Sequence, residues 1–335
     1  MSPSIGTLGE AALVARLRHR AGPPPDFVTL GIGDDAAVIA PERGRHTVAT
    51  TDSLVEDVHF RRAWTPLHAV GHKALAVNLS DLAAMGASPR ASLLSLALPR
   101  DLPIADFDAL IDGFVSLAEA AGAPLVGGNL TRSPAPIVID VTALGTVRPR
   151  RLLRREGTQD GDELYVTGAL GAAAAGLAFL AAGVDRASLD EAAAACVARY
   201  EQPDARVRCG QIVGRTGAAS AAIDVSDGLA DAARRLADAG GVGVVVDADA
   251  LPVHAGVRDW TGRSGQDAIA LALSGGEDYE LAFAVRPRQR SKFLAALRRC
   301  AGLPVTRVGG FTAERGYWLD RAGARVPLPS GFAHF

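Results

Sequence analysis

The chain has 335 residues, 48% of them hydrophobic and 21% charged, with a formal net charge of −2. That length suffices for two domains with separate cores, and a near-neutral balance gives no ground for a nucleic-acid or anionic-membrane partner. Basic residues are almost all Arg, with Lys only at positions 73 and 292, and they are spread along the chain except between Arg148 and Arg155.

Thr7 with Glu10 reads as a capping box opening an amphipathic helix to Arg20, which Gly22-Pro23-Pro24-Pro25 ends. A strand is expected over Phe27 to Leu30, running into the turn Gly31-Ile32-Gly33-Asp34-Asp35. A β-type run from Thr47 to Thr51 is read as ending on Asp52, followed by Glu56, Asp57 and His59. The nearest cations inside this stretch are Arg43 and Arg45, in a turn. Any one of these acids alone reads as a cap or turn residue. As a set, they point to a divalent metal, and Mg²⁺ favours a few carboxylates with phosphate oxygens and water.

Pro66 opens a long helix to Met85, stopped by Gly86, with Asn78 and Asp81 on one face. Ala91 to Leu98 is read as a strand and Pro103 to Ala121 as a helix, with Phe107, Leu110, Ile111, Phe114 and Leu117 at helical spacing. Leu125-Val126 is read as a short strand ending in the turn Gly127-Gly128-Asn129, and Ile137 to Val147 as a longer strand with an open edge suited to pairing with a second copy. Arg148-Pro149-Arg150-Arg151 marks the boundary between domains 1–148 and 149–335.

The second half repeats the style, with strands over 163–167, 221–225, 242–246 and 279–285 and helices over 172–182, 189–200 and 228–239. Asp224, Ser226 and Asp227 stand at one strand end, and Ser274-Gly275-Gly276-Glu277-Asp278 forms another glycine-acid turn. Cys196, Cys209 and Cys300 form no CxxC pair and read as small core residues in a reducing compartment. No apolar leader opens the chain, and the uncharged stretch 164–184 is broken by glycines, so a cytoplasmic protein with no membrane partner is expected.

There is no GxxxxGK[ST], no GxGxxG opening a helix, no HExxH and no GxSxG. Acids at strand ends and glycine-rich turns remain. Glycines let the backbone approach phosphate oxygens, and phosphoryl transfer asks mainly for positioning and charge neutralisation. A phosphate acceptor would bring two anions together and call for several Mg²⁺ ions.

The segments GIGDDAAV, TTDSLVEDVHF, KALAVNLSDLAAMGA, IDVSDGL and SGGEDYEL together resemble the thiamine-monophosphate kinases. These belong to the superfamily of aminoimidazole ribonucleotide synthetase. The resemblance implies two α/β (α+β) domains and a homodimer whose N-terminal strands form a barrel across the interface. It implies transfer of the ATP γ-phosphoryl group onto thiamine phosphate, with Mg²⁺. By position, it assigns metal binding to Asp34, Asp35, Thr50, Thr51, Asp52, Asp81, Asp224 and Asp227, with Asp34, Asp52, Asp81 and Asp227 closest to the chemistry. It assigns nucleotide contacts to Gly128, Arg155 and Ser226, and thiamine phosphate contacts to His59, Glu277 and Phe332. Asn129, assigned to metal and nucleotide binding, stands where the family has an Asp, and keeps one carbonyl oxygen as a metal ligand without the charge. The alternatives are another ATP-dependent enzyme of the superfamily with a different acceptor, and a non-catalytic nucleotide-binding protein.

Overall fold

The computed structural model describes residues 4–300 and 302–331, so Phe332 lies outside the described residues. The chain divides into two compact units. One holds the residues up to Leu82 together with Ser88–Arg148, and the other holds Ala83–Ala87 and the residues from Pro149 onward.

The first unit contains α1 (Glu10–Ala21), β1 (Val28–Leu30), β2 (Val38–Ile39), β3 (His46–Val55), α2 (Leu67–Ala84, its last residues belonging to the other unit), β4 (Ser88–Pro99), α3 (Ile104–Ala121), β5 (Leu125–Ser133) and β6 (Val138–Val147). Its main sheet has the order β3-β6-β4-β5, and β1 pairs with β2 apart from it. In-register residues share a face of a sheet, and here the two faces differ sharply. Ile139, Val141, Ala143, Leu94 and Leu96 are almost completely buried on one face. Asp140, Thr142, Leu93 and Ser95 are half-buried on the other. Helices α2 and α3 cross in close contact. A Cβ on Gly71 would stand 1.9 Å from the Leu110 carbonyl oxygen, and one on Gly113 would stand 1.8 Å from that of His68. Only glycine lets the two backbones approach this far.

Several expectations need correction here. Thr7 and Glu10 form no capping box: the Thr7 hydroxyl donates to the Ser4 carbonyl in a short 3₁₀ turn, and Gly9, at φ +77°, caps α1. Strand β3 does not end at Asp52 but runs on to Val55, paired with β6 throughout. Gly127-Gly128-Asn129 is not a turn but the middle of β5, in parallel register with Leu93, Leu94 and Ser95. Strand β6 lies inside the sheet, and the open edges are β3 and β5.

The second unit contains β7 (Glu163–Thr167), α4 (Ala172–Ala181), α5 (Glu191–Glu201), α6 (Val207–Thr216), β8 (Ala221–Val225), α7 (Leu229–Gly240), β9 (Gly243–Asp247), α8 (Ala255–Ser264), α9 (Ala268–Ser274), β10 (Glu280–Val285), α10 (Arg290–Leu297), β11 (Val305–Thr312), β12 (Tyr317–Arg321) and β13 (Ala324–Pro327). Its seven strands run in the order β13-β12-β9-β11-β7-β10-β8. Strands β7, β8 and β10 are buried along their whole length. The reason is that helices cover both faces: Leu229, Ala233 and Leu236 of α7 pack on Ile223 and Val225, while Ile212 of α6 and Phe293 of α10 pack on Tyr165 and Phe283. All three cysteines are free and buried. No helix among the described residues is long and apolar enough to cross a membrane.

Candidate nucleotide and phosphate site

In the first unit the sequence-selected residues fall into two groups. Asp34 and Asp35 lie in the exposed turn after β1, with Gly33 at φ +114° and the Asp35 amide donating to the Asp34 carboxylate at 2.9 Å. This turn borders a cleft of about 640 Å³, whose floor is the half-buried face of the main sheet. Gly128, Asn129, Ser95, Asp140 and Thr142 line it. Asn129, Ser95, Asp140 and Ser53 form one cross-strand row. Asp140 accepts from Ser53 at 2.6 Å and from Thr51 at 3.3 Å, so Thr51 belongs to this face.

Thr50 and Asp52 alternate with Thr51 along β3 and therefore lie on the opposite face. There the Thr50 hydroxyl donates to the Asp81 carboxylate on α2. Asn78, one turn earlier on α2, is buried; its amide N–H donates to the Ala74 carbonyl at 3.0 Å, while its Oδ1 is buried with no hydrogen-bond partner among the described residues.

The acids after β3 each have a cation nearby. Glu56 is buried, paired with Arg62 and accepting from the Ile137 amide at 2.9 Å. Asp57 stands 3.6 Å from Arg61. These two arginines, just beyond the acid-rich stretch, supply the positive charge it lacks. His59 is half-buried and its Nδ1 accepts from the Val55 amide at 3.1 Å, which in the neutral ring leaves Nε2 as the N–H donor.

In the second unit Asp224 is buried near the end of edge strand β8, opposite Leu281. Ser226 and Asp227 follow it, and Gly228, at φ +95°, caps α7. Asp227 has Arg235 at 3.8 Å, so it too has a cation within reach. The segment Gly275–Tyr279 lies against this turn: the Glu277 amide donates to the Ser226 carbonyl at 2.6 Å and the Tyr279 amide to the Val225 carbonyl at 2.9 Å. Glu277 and Tyr279 both take positive φ, +70° and +48°, a conformation that costs a non-glycine residue about 1–2 kcal/mol. Arg155 is exposed, in a bend before β7.

Two buried acids stand here, Asp278 within the segment and Glu280 just after it, and the sequence assigns a role to neither. Asp278 is fully buried and accepts from the amides of Gly171 at 2.6 Å and Ala173 at 3.1 Å, at the start of α4. Burial pushes its carboxyl up to about 7, against the lowering effect of the two amides. Glu280 is equally buried and held by Arg206 at 2.5 and 2.8 Å and by the Thr167 hydroxyl at 2.6 Å. Their alternation in Glu277-Asp278-Tyr279-Glu280 was the available signal, since two side chains of that run must turn inward.

Among the described residues no three His, Cys, Asp or Glu side chains converge as ligands to one ion. The donors present are carboxylate, hydroxyl and amide oxygens, the hard set Mg²⁺ prefers, and Mg²⁺ usually completes its shell with water and substrate phosphate rather than with an all-protein cage.

Residues 33–147 match the AIR synthase related protein N-terminal domain, and residues 159–319 match the AIR synthase related protein C-terminal domain. The fold and the paired acid-bearing turns thus define a two-domain AIR synthase related protein. Over 334 residues the chain is 38% identical to the thiamine-monophosphate kinase of Salmonella typhimurium, covering 98% of each. The crystal structure of the thiamine-monophosphate kinase from Stenotrophomonas maltophilia superposes with a TM-score of 0.82 at 39% identity, covering 97% of this chain and 99% of that one. AaThiL complexed with AMPPCP and TMP superposes over the whole of both chains with a TM-score of 0.78 at 31% identity. The chain belongs to the thiamine-monophosphate kinase family.

Proposed function

We propose that this protein transfers the γ-phosphoryl group of ATP to thiamine phosphate, giving ADP and thiamine diphosphate. A phosphate oxygen of thiamine phosphate attacks the γ-phosphorus, and the bond from that phosphorus to the β–γ bridging oxygen breaks. The observation that carries this reading is full-length similarity to thiamine-monophosphate kinases, including AaThiL complexed with AMPPCP and TMP.

Asp34, Asp35 and Asn129 on the cleft face, Thr50, Asp52 and Asp81 on the other, and Asp224 and Asp227 in the second unit are the residues that would hold Mg²⁺. Bound Mg²⁺ neutralises phosphate charge during transfer. Thr51 supports the cleft-side acids through Asp140. Gly128, Arg155 and Ser226 are assigned to the nucleotide, and His59, Glu277 and Phe332 to thiamine phosphate. The Nε2–H of His59 suits a phosphate oxygen, and the Glu277 carboxylate suits the cationic thiazolium. Residues 1–148 act as the metal-binding and dimerisation domain, and residues 149–335 complete the nucleotide and substrate sites. Open edges at β3 and β5 support a homodimer. Three buried free cysteines fit a reducing, cytoplasmic setting.

The test incubates the purified protein with ATP, Mg²⁺ and thiamine phosphate and separates the products. Thiamine diphosphate formed in step with ADP, and abolished by chelation, supports the reading. ATP binding with no thiamine diphosphate, or full activity after exhaustive chelation, refutes the kinase or its metal respectively.

A further inference from the structure

Glu277 sits in a segment whose shape needs explaining. Positive φ at two non-glycine residues persists only where the surroundings over-determine it. Both glycines before it are pressed on one side. A Cβ on Gly275 would stand 2.4 Å from the Leu271 carbonyl and 2.7 Å from the Ala174 Cβ, and one on Gly276 would stand 2.8 Å from the Ser226 carbonyl. Asp278 ties the segment to a rigid element: its two oxygens take the Gly171 and Ala173 amides of α4. Those amides have no partner inside the helix, and the helix N-terminus favours a carboxylate. Two residues on, Glu280 is locked by Arg206 and Thr167, which fixes where β10 begins.

We propose that Asp278 is a positioning residue: its buried grip on the start of α4 holds the Gly275–Tyr279 segment against the Ser226–Asp227 turn and so aims Glu277 at the substrate. Asp278 touches no substrate itself and acts through Glu277. This inference rests on the assignment of Glu277 to thiamine phosphate.

Two experiments test it. In amide hydrogen exchange by NMR on the wild-type protein, the amides of Glu277 and Tyr279 are protected together with those of Gly171 and Ala173. A Glu277 amide exchanging at the free-peptide rate overturns the proposal, whether or not any variant folds and whatever the enzyme's substrate. In Asp278→Asn the amide group presents a donor to one of the two N–H groups, and exchange at Glu277 and Tyr279 rises about tenfold or more while β11 is unchanged. The same variant raises the KM for thiamine phosphate about tenfold and leaves that for ATP within about twofold. Adding Asp278→Asn to Glu277→Ala produces no further rise, because both changes remove one interaction. An unchanged KM in the single variant, or additive losses in the double variant, sinks the positioning role. Failure of the wild-type protein to phosphorylate thiamine phosphate removes the functional reading instead, and leaves the exchange measurements to decide what holds the segment.

Discussion

Gly128→Ala separates two reasons for a glycine at this position, close approach of a phosphate and close approach of a strand. Gly128 lies in β5 opposite Leu94 of β4, and a methyl added there would stand 1.9 Å from the Leu94 carbonyl oxygen and 2.7 Å from its carbonyl carbon. The obstacle is backbone, so no rotamer relieves it. Opening the contact to 3.0 Å, the least that real Cβ atoms tolerate, moves β5 away from β4 by about 1.1 Å. Ladder bonds of ordinary N–H···O length do not survive that shift, and two or three of them at roughly 1 kcal/mol each come to about 2–3 kcal/mol. For a unit of this size that is a fall in melting temperature of about 6–12 °C, measured by scanning calorimetry without ligand. Gly127→Ala is the control. Its nearest atoms are a Leu93 methyl at 3.1 Å and the Ala37 Cβ at 3.6 Å, both on side chains, so the cost is under about 1 kcal/mol. A Gly128→Ala protein melting within about 2 °C of wild type, but with ATP affinity lost, refutes the strand-packing argument.

Thr50→Val removes the hydroxyl that orients Asp81 and is expected to lower kcat roughly tenfold, the scale of one hydrogen bond to a charged group, with both KM values little changed; a wild-type kcat removes the pair from the site. Asn129→Asp adds a charge to the row that holds Asp140, and is expected to lower the Mg²⁺ concentration for half-maximal rate and to lower the melting temperature in EDTA; an unchanged metal titration means that Asn129 is not a ligand. Asp278 ionises near 7 in the folded protein against 3.8 when exposed. Between those values the unfolded chain has released a proton that the folded one keeps, so stability is full below about pH 4 and lost as pH rises to about 7. The melting temperature of Asp278→Asn is therefore expected to gain on wild type between pH 5 and pH 7.5, and a constant gap excludes this carboxyl as the source.

The apolar strands and the long helices were legible because their periods are clean: β6 alternates buried and half-buried positions, and α3 buries Phe107, Leu110, Ile111 and Phe114. Other elements were hidden for physical reasons. Strand β3 is exposed along most of both faces, so its polar residues past Thr51 carry no alternation, and its end was placed three residues early. Gly127-Gly128 looks like a turn by composition, but in a strand glycine marks a backbone that another backbone approaches. Helix α6 has apolar residues at helical spacing yet contains Gly210 and Gly214, which would lower its helix propensity anywhere else. Gly210 is required because a Cβ there would stand 1.9 Å from the Ala83 carbonyl. The hairpin β12–β13 is short, with β12 mostly half-buried and β13 exposed, and its cue is the turn at Ala322-Gly323, both with positive φ. The pairing of Glu56 with Arg62 was within reach of the sequence, six residues apart, and was missed because the cation stands outside the acidic run.

The site residues were recognised as a set more readily than as an arrangement, and the reason is the period of two. Thr50, Thr51 and Asp52 are contiguous and read as a single run of ligands. In a strand that contiguity sends the first and third side chains to one face and the second to the other. Thr50 meets Asp81 on the helix-covered face, whereas Thr51 meets Asp140 on the face that floors the cleft beside Asp34 and Asp35. Side chains on opposite faces of a sheet cannot both reach one Mg²⁺ at the roughly 2.1 Å its coordination requires. Candidates on the cleft face and on the helix-covered face, if they bind Mg²⁺, therefore hold different ions.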